Sequence, residues 1–200
     1  MTNESRAATF RLFVAIVLPE PVRNEIIRVQ SELQPLVPRG VARWTRSDQL
    51  HLTLRFLGEV PAGAVEALKD AVNAVARDAA PLFLAAQGLG FFPNPRSPRV
   101  LWVGINDCEN RLVGIQKRIE AAVSSFSPEP VEKEFRGHVT LARLKNPGPA
   151  DVRDLVTRAQ SLGTRSFGGW TAREIEIIRS ELSSNGAQYT TLAACRLGAG

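Results

Sequence analysis

Residues Ala172–Leu182 read AREIEIIRSEL and Gln188–Leu197 read QYTTLAACRL, with Ser184-Asn185-Gly186 between them. Ile175 and Ile177 alternate with Glu174 and Glu176, the two-residue period of a strand with one buried face. Asn-Gly supplies the left-handed backbone of a tight turn, so an antiparallel hairpin is predicted here. Upstream, apolar spacing switches repeatedly between two periods. Arg11–Leu18 (RLFVAIVL), Leu50–Leu57 (LHLTLRFL), Leu82–Phe92, Arg99–Ile105 and Gly137–Leu144 read as strands, with a short piece around Val41–Thr45. Helical spacing places Val22, Ile26, Val29 and Leu33 on one helix opened by Pro19-Glu20-Pro21, and Val65, Leu68, Val72 and Val75 on a second that starts at Pro61. Further helices are predicted over Asn110–Val123 and Ala150–Ser161. No glycine-rich phosphate loop follows a strand, which disfavours a dinucleotide-binding or P-loop fold. The predicted class is α+β with mostly antiparallel sheet, in one two-lobed domain spanning 1–200, residues 1–9 forming a flexible extension.

Composition narrows the function classes. An apolar fraction of 44% and a charged fraction of 22% belong to an ordinary globular chain. The net charge of +5 mildly favours an anionic partner. Two cysteines, Cys108 and Cys195, make neither a disulfide framework nor a metal knuckle. The polar stretch Met1–Thr9 lacks a signal-peptide pattern, and Leu12–Leu18 falls far short of the roughly 20 residues of a membrane span. A cytoplasmic, monomeric protein without membrane attachment is expected.

The chain has two histidines, and both stand in the same setting: His51-Leu52-Thr53-Leu54 and His138-Val139-Thr140-Leu141. On a strand, His and Thr share one face while the apolar neighbours enter the other. Each motif thus presents an imidazole and a hydroxyl above an apolar floor. Near pH 7 one imidazole can be neutral and the other protonated. The neutral ring takes a proton from water and the charged ring gives one to a departing alkoxide. The threonine hydroxyls can hold the non-bridging oxygens of a phosphate between them. A zinc site would want more ligands at useful spacing, and no HxH, HxxxH or CxxC occurs. Asp48 is read as a solvated loop carboxylate. No GxSxG setting supports a serine nucleophile.

These motifs resemble the two-histidine phosphoesterases, and more narrowly the bacterial and archaeal RNA 2′,3′-cyclic phosphodiesterases, also called 2′-5′ RNA ligases. Arg11–Ile16 is similar to the opening strand of that family, Leu50–Val60 (LHLTLRFLGEV) to its first motif block, and Arg99–Gly104 (RVLWVG) and Phe135–Arg143 (FRGHVTLAR) to the middle and second blocks. Ile178–Leu182, Gly186 and Tyr189 resemble its closing hairpin. The resemblance implies two pseudo-symmetric lobes with helices on the outer faces and a cleft between them. It also implies hydrolysis of an RNA 2′,3′-cyclic phosphate to a 2′-phosphate, without metal or other cofactor, with 2′-5′ ligation as the reverse reaction. Carried onto this chain, His51 is the proton donor and His138 the acceptor. Thr53 and Thr140 hold the phosphate, Arg143 adds positive charge, and Phe13 lines the nucleotide site. Two other readings stand beside it: a phosphodiesterase for a small cyclic phosphate such as one derived from ADP-ribose, and an inactive RNA-binding module.

Two positions depart from simple expectation. Gly137 stands where the family has proline. Strict alternation puts Arg143 on the face opposite His138 and Thr140, whereas it puts Arg55 on the face of His51 and Thr53. Both arginines are therefore candidates. The loop Phe91–Arg99 (FFPNPRSPR) is read either as an RNA clamp or as a rigid connection over buried phenylalanines.

Overall fold

A computed structural model describes residues 8–130, 134–183 and 186–198. Nine strands form one sheet: β1 (Thr9–Val17), β2 (Ala42–Trp44), β3 (His51–Pro61), β4 (Leu82–Phe92), β5 (Val100–Asn106), β6 (His138–Leu144), β7 (Ser166–Ala172), β8 (Glu174–Ser183) and β9 (Gly186–Arg196). The helices are α1 (Glu20–Leu33), α2 (Val65–Arg77), α3 (Arg111–Val123) and α4 (Pro149–Ser161). The strand order is β7-β4-β5-β6-β3-β1-β8-β9, with β2 paired to β6 and every pairing antiparallel. The α+β expectation with mostly antiparallel sheet therefore holds.

The sheet has two halves. Most neighbouring strands share long ladders, but β3 meets β6 at a single register pair, Leu52 with Val139. Helices α1 and α4 lie against β7 and β4, while α2 and α3 lie against β3, β8 and β9. The crossovers are exchanged. Helix α1 leaves β1 and packs on the half that contains β7, and α3 leaves β5 and packs on β3. The α1 stripe of Val22, Ile26, Val29 and Leu33 is the one predicted from spacing, and α3 carries its own at Leu112, Ile115, Ile119 and Val123. All four helices bury into one core that includes Leu52, Leu54, Val139 and Leu141. At roughly 25 cal/mol per Å² of apolar surface, that shared core is what ties the halves together. The opposite face of the sheet carries a smaller apolar group, Phe13, Ala15 and Ile178, with Tyr189 against it.

Element boundaries differ from the sequence reading in instructive ways. The second helix begins at Val65, because β3 continues to Pro61 and a single 3-10 turn intervenes. The long strand predicted over Ala172–Leu182 is β8, which starts at Glu174 because Ala172 closes the preceding strand β7. Strand β7 (SFGGWTA) escaped notice since its two glycines have low strand propensity. Gly168 has φ +106°, a left-handed backbone that favours glycine, and a Cβ at Gly169 would sit 2.8 Å from Phe83 Cζ, so close packing selects glycine there. Of the predicted hairpin turn, Ser184 and Asn185 lie outside the described residues. No described helix is long and apolar enough to cross a membrane.

Candidate active site

Each histidine opens its strand, and each is fixed by the carbonyl two residues before it. His51 Nδ1 lies 2.7 Å from Gln49 O, and His138 Nδ1 lies 2.7 Å from Arg136 O. A carbonyl oxygen only accepts, so Nδ1 must carry the proton in both rings. That leaves both Nε2 atoms for chemistry, with a lone pair in the neutral ring and a proton in the charged one. Gln49 is itself tied down, its Nε2 donating to Ala187 O on β9. Gly137 does not disturb this arrangement. Its carbonyl accepts Ile105 N–H at 2.9 Å, and its backbone is outside the left-handed region.

The register brings the two motifs together. Leu52 faces Val139 in an antiparallel pair, so the His51–Thr53 and His138–Thr140 segments flank one meeting point of β3 and β6, with His138 close enough to act on the His51 charge. All four side chains are half-buried, while Leu52, Leu54, Val139 and Leu141 point into the core. The same-face reading of His and Thr is therefore correct. Burial lowers the His51 pKa to about 4, helped by the nearby His138 and opposed by the Gln49 carbonyl. His51 is accordingly neutral at pH 7 in the free protein.

Aromatic rings back each imidazole. Phe13 stacks on His51 with centroids 4.7 Å apart and Tyr189 meets it edge-on at 5.6 Å. On the other side Phe92 meets His138 edge-on at 5.0 Å, with Trp102 at 6.4 Å. Gly90 makes room for Trp102, whose six-membered ring occupies the place of a Cβ there. Phe13 is only 3% exposed, so it supports the His51 ring from beneath. The outward aromatic of that side is Phe56, 43% exposed, which the sequence reading did not single out. In the Phe91–Arg99 loop, Phe91 joins the core, Phe92 turns to His138, and Asn94 Oδ1 accepts the N–H groups of Arg96 and Ser97.

The arginine question is decided by two bulges. Along β1, Val14 pairs with Arg55 and Ala15 with Thr53, so Leu54 is an extra residue in β3. Along β5, Leu101 pairs with Ala142 and Trp102 with Thr140, so Leu141 is the extra residue in β6. Each motif ends in its bulge. The alternation slips by one residue there, and the parity reading is reversed for both arginines. Arg143 returns to the face of His138 and Thr140 and is exposed. Arg55 turns into the interior, 5% exposed, where it forms an ion pair with Glu120 at 3.0 Å. Its guanidinium also donates to Pro130 O at 2.8 Å and Glu129 O at 2.7 Å. Arg55 is thus held in the interior, off the face that carries His51 and Thr53. Phe56 occupies in the first motif the place that Arg143 holds in the second.

Positive charge gathers on the same side. Arg43 is the register partner of Arg143. Burial pushes the Tyr189 phenol up, while Arg143, Arg11 and Arg43 pull it down and Asp48 pushes it up, so all four lie within electrostatic reach of it. Asp48 pairs with Arg46 at 3.0 Å and leaves His51 to the Gln49 carbonyl. Among the described residues no three His, Cys, Asp or Glu side chains gather as a cation site. Two surface hollows of about 580 and 500 Å³ lie away from both histidines, against α1 and α4 and beside the start of α1, and neither assembles comparable groups.

Two repeated units are also what comparison with known proteins finds. The family model of LigT-like phosphoesterases matches residues 16–102 and again 103–189. The chain belongs to the LigT-like phosphoesterase family. The boundary between the matches falls inside β5, so each unit carries one histidine motif. A Thermus thermophilus protein named RNA 2′,3′-cyclic phosphodiesterase is 34% identical over 91% of this chain and 87% of its own. A Methanothermobacter thermautotrophicus protein of the same name is 29% identical over 94% and 98%. The crystal structure of a protein from Thermus thermophilus superposes with a TM-score of 0.76 at 31% identity, covering 94% of this chain and 97% of that one.

Proposed function

We propose that this LigT-like phosphoesterase hydrolyses RNA 2′,3′-cyclic phosphate ends to 2′-phosphomonoesters, without a metal, by general acid–base catalysis between His51 and His138. One observation carries the reading: two imidazoles, each held through Nδ1 by a backbone carbonyl, flank the Leu52–Val139 pair with a threonine beside each. The names of the relatives supply the substrate. The phosphate sits between the rings, its free oxygens taking hydrogen bonds from Thr53 and Thr140 and charge from Arg143. His138 Nε2 removes a proton from water as the oxygen attacks phosphorus. The bond to the 3′ oxygen breaks, and His51 Nε2 delivers its proton to that oxygen.

His51 as donor follows the order implied by the resemblance. A value near 4 suits a base in the empty site. The substrate phosphodiester brings a negative charge against Nε2, which favours the protonated ring. Arg11 and Arg43 extend the cationic side of the site and suit an RNA strand longer than one nucleotide. With a 5′-hydroxyl in place of water, the same groups run a 2′-5′ ligation that breaks the same bond to the 3′ oxygen. The halves of the chain act here as one domain, because each supplies one histidine and one threonine.

The test is product analysis on a defined RNA ending in a 2′,3′-cyclic phosphate, with and without chelator. A 2′-phosphate formed equally in both conditions is expected. Full activity of His138→Ala would overturn the mechanism, and faster turnover of small cyclic phosphates would overturn the RNA assignment. RNA binding without turnover would leave only a binding module.

A further inference from the structure

The buried polar or charged side chains among the described residues are Arg55, Gln30 and Gln116. Arg55 is answered by Glu120. The two glutamines stand beside the apolar stripes of α1 and α3, where an apolar residue would pack equally well. They reach corresponding atoms. Gln30 Nε2 donates to Leu141 O at 3.0 Å and to Thr45 O at 2.8 Å. Gln116 Nε2 donates to Leu54 O at 3.4 Å. Leu141 and Leu54 are the extra residues of the two bulges. An extra residue falls out of the regular ladder, and its carbonyl takes irregular partners: Leu54 O accepts from Gln116, and Leu141 O accepts from Gln30 and from one backbone N–H.

The correspondence extends along the chain. Gln30 precedes His51 by 21 residues, and Gln116 precedes His138 by 22. Each glutamine comes from one repeat and serves the motif of the other, through the exchanged helices. Around Gln30 the hydrogen bonding is closed: both amide protons are used, and Thr45 N–H also donates to Leu141 O at 2.8 Å. Without the bulge, alternation would turn Arg143 away from His138.

We propose that Gln30 is a positioning residue whose carboxamide holds the Leu141 bulge and thereby keeps Arg143 on the face of His138 and Thr140. Gln116 does the same at Leu54 for Phe56. The inference rests on the reading of that face as the phosphate site, and its test has a readout independent of activity.

The variant is Gln30→Met, which keeps the length of the side chain and removes both donors. Its crystal structure is expected to show residues 140–143 rearranged and the Arg143 guanidinium displaced from the His138 side. On cyclic-phosphate RNA its kcat/KM is expected to fall by on the order of tenfold. In an Arg143→Ala background the same substitution is expected to cost little more, because the group it positions is already gone. A variant crystal with the bulge and Arg143 unchanged overturns the inference whatever the activity. Equal losses in both backgrounds overturn it too, since a general structural defect acts regardless of Arg143. A wild-type protein inert on the RNA defeats the functional reading alone, and the crystal comparison still decides the positioning role. If Gln30→Met does not fold, Gln116→Met is judged by the same criteria at Leu54 and Phe56.

Discussion

Leu52 lies opposite Val139 in the antiparallel register of β3 with β6, both fully buried. Exchanging these two leaves the pattern around them unchanged, because each is preceded by a histidine and followed by a threonine. The two histidines therefore enter the meeting point of β3 and β6 from opposite chain directions. In-line displacement needs one ring on the side of attack and the other on the side of departure, and two strands that meet head to tail are suited to supply them.

The roles of the two rings can be separated by pH. Alanine at either histidine should lower kcat by about 10²- to 10⁴-fold, the usual worth of a proton-transfer group. With His51 removed, the protonated donor is gone, so residual activity should not fall as pH rises. With His138 removed, residual activity should fall with pH as His51 loses its proton. The residual pH–rate profiles of the two alanine variants check this, and interchanged slopes would reverse the assignment of donor and acceptor.

Phosphate binding should draw in a proton. His51 is neutral in the free protein, with its pKa near 4, and an anion against Nε2 raises it. Binding thus tightens as pH falls from the pKa of the complex toward 4, and levels off below that. Calorimetry of inorganic phosphate in buffers of different ionisation enthalpy would report the uptake. Its disappearance in His51→Ala would place the proton on that ring, and its persistence would place it elsewhere.

The motif residues were legible in the sequence because His51, Thr53, His138 and Thr140 all precede the point where regular alternation breaks. The stripes of the helices were legible for the same reason, being unbroken periods. Arg55 and Arg143 were not, because a bulge adds one residue without any compositional mark: Leu54 and Leu141 look like ordinary alternating leucines. Aligning HLTLRFL with HVTLARL pairs Phe56 with Arg143 and Arg55 with Ala142. A buried Ala142 would then have hinted that Arg55 also points inward. Trp102, Phe92 and Gln30 left no such trace, since each takes its role from a partner distant in sequence. Strand β7 was hidden by two glycines, Gly168 for its positive φ and Gly169 for its packing against Phe83.

Arg55 and Arg143 should fail in different ways. Arg143→Ala should lower kcat/KM by roughly one to two orders of magnitude, the loss of a charge-assisted hydrogen bond to phosphate, with little change in Tm. Arg55→Met leaves Glu120 buried without its partner and frees the 129–130 carbonyls, so about 3–5 kcal/mol of stability should be lost. Denaturant unfolding and steady-state kinetics on the same samples distinguish the two. A stable Arg55→Met protein with a selective rise in KM would return Arg55 to the site.

Arg43 offers the clearest separation of RNA from a small substrate. It lies beside Arg143 in the ladder and has no ion pair among the described residues. A cyclic mononucleotide places its one phosphate between the histidines and has nothing left for Arg43, whereas an oligonucleotide continues along the cationic side. Arg43→Ala should therefore raise KM for a short RNA with a cyclic-phosphate end and leave the mononucleotide unaffected. One phosphate contact fewer should also flatten the logarithmic salt dependence of RNA binding by about 0.7, the value for a single strand. Salt titrations of wild type and variant would measure that slope. An unchanged slope, with KM unaffected for both substrates, would remove Arg43 from the RNA path and confine recognition to the phosphate between His51 and His138.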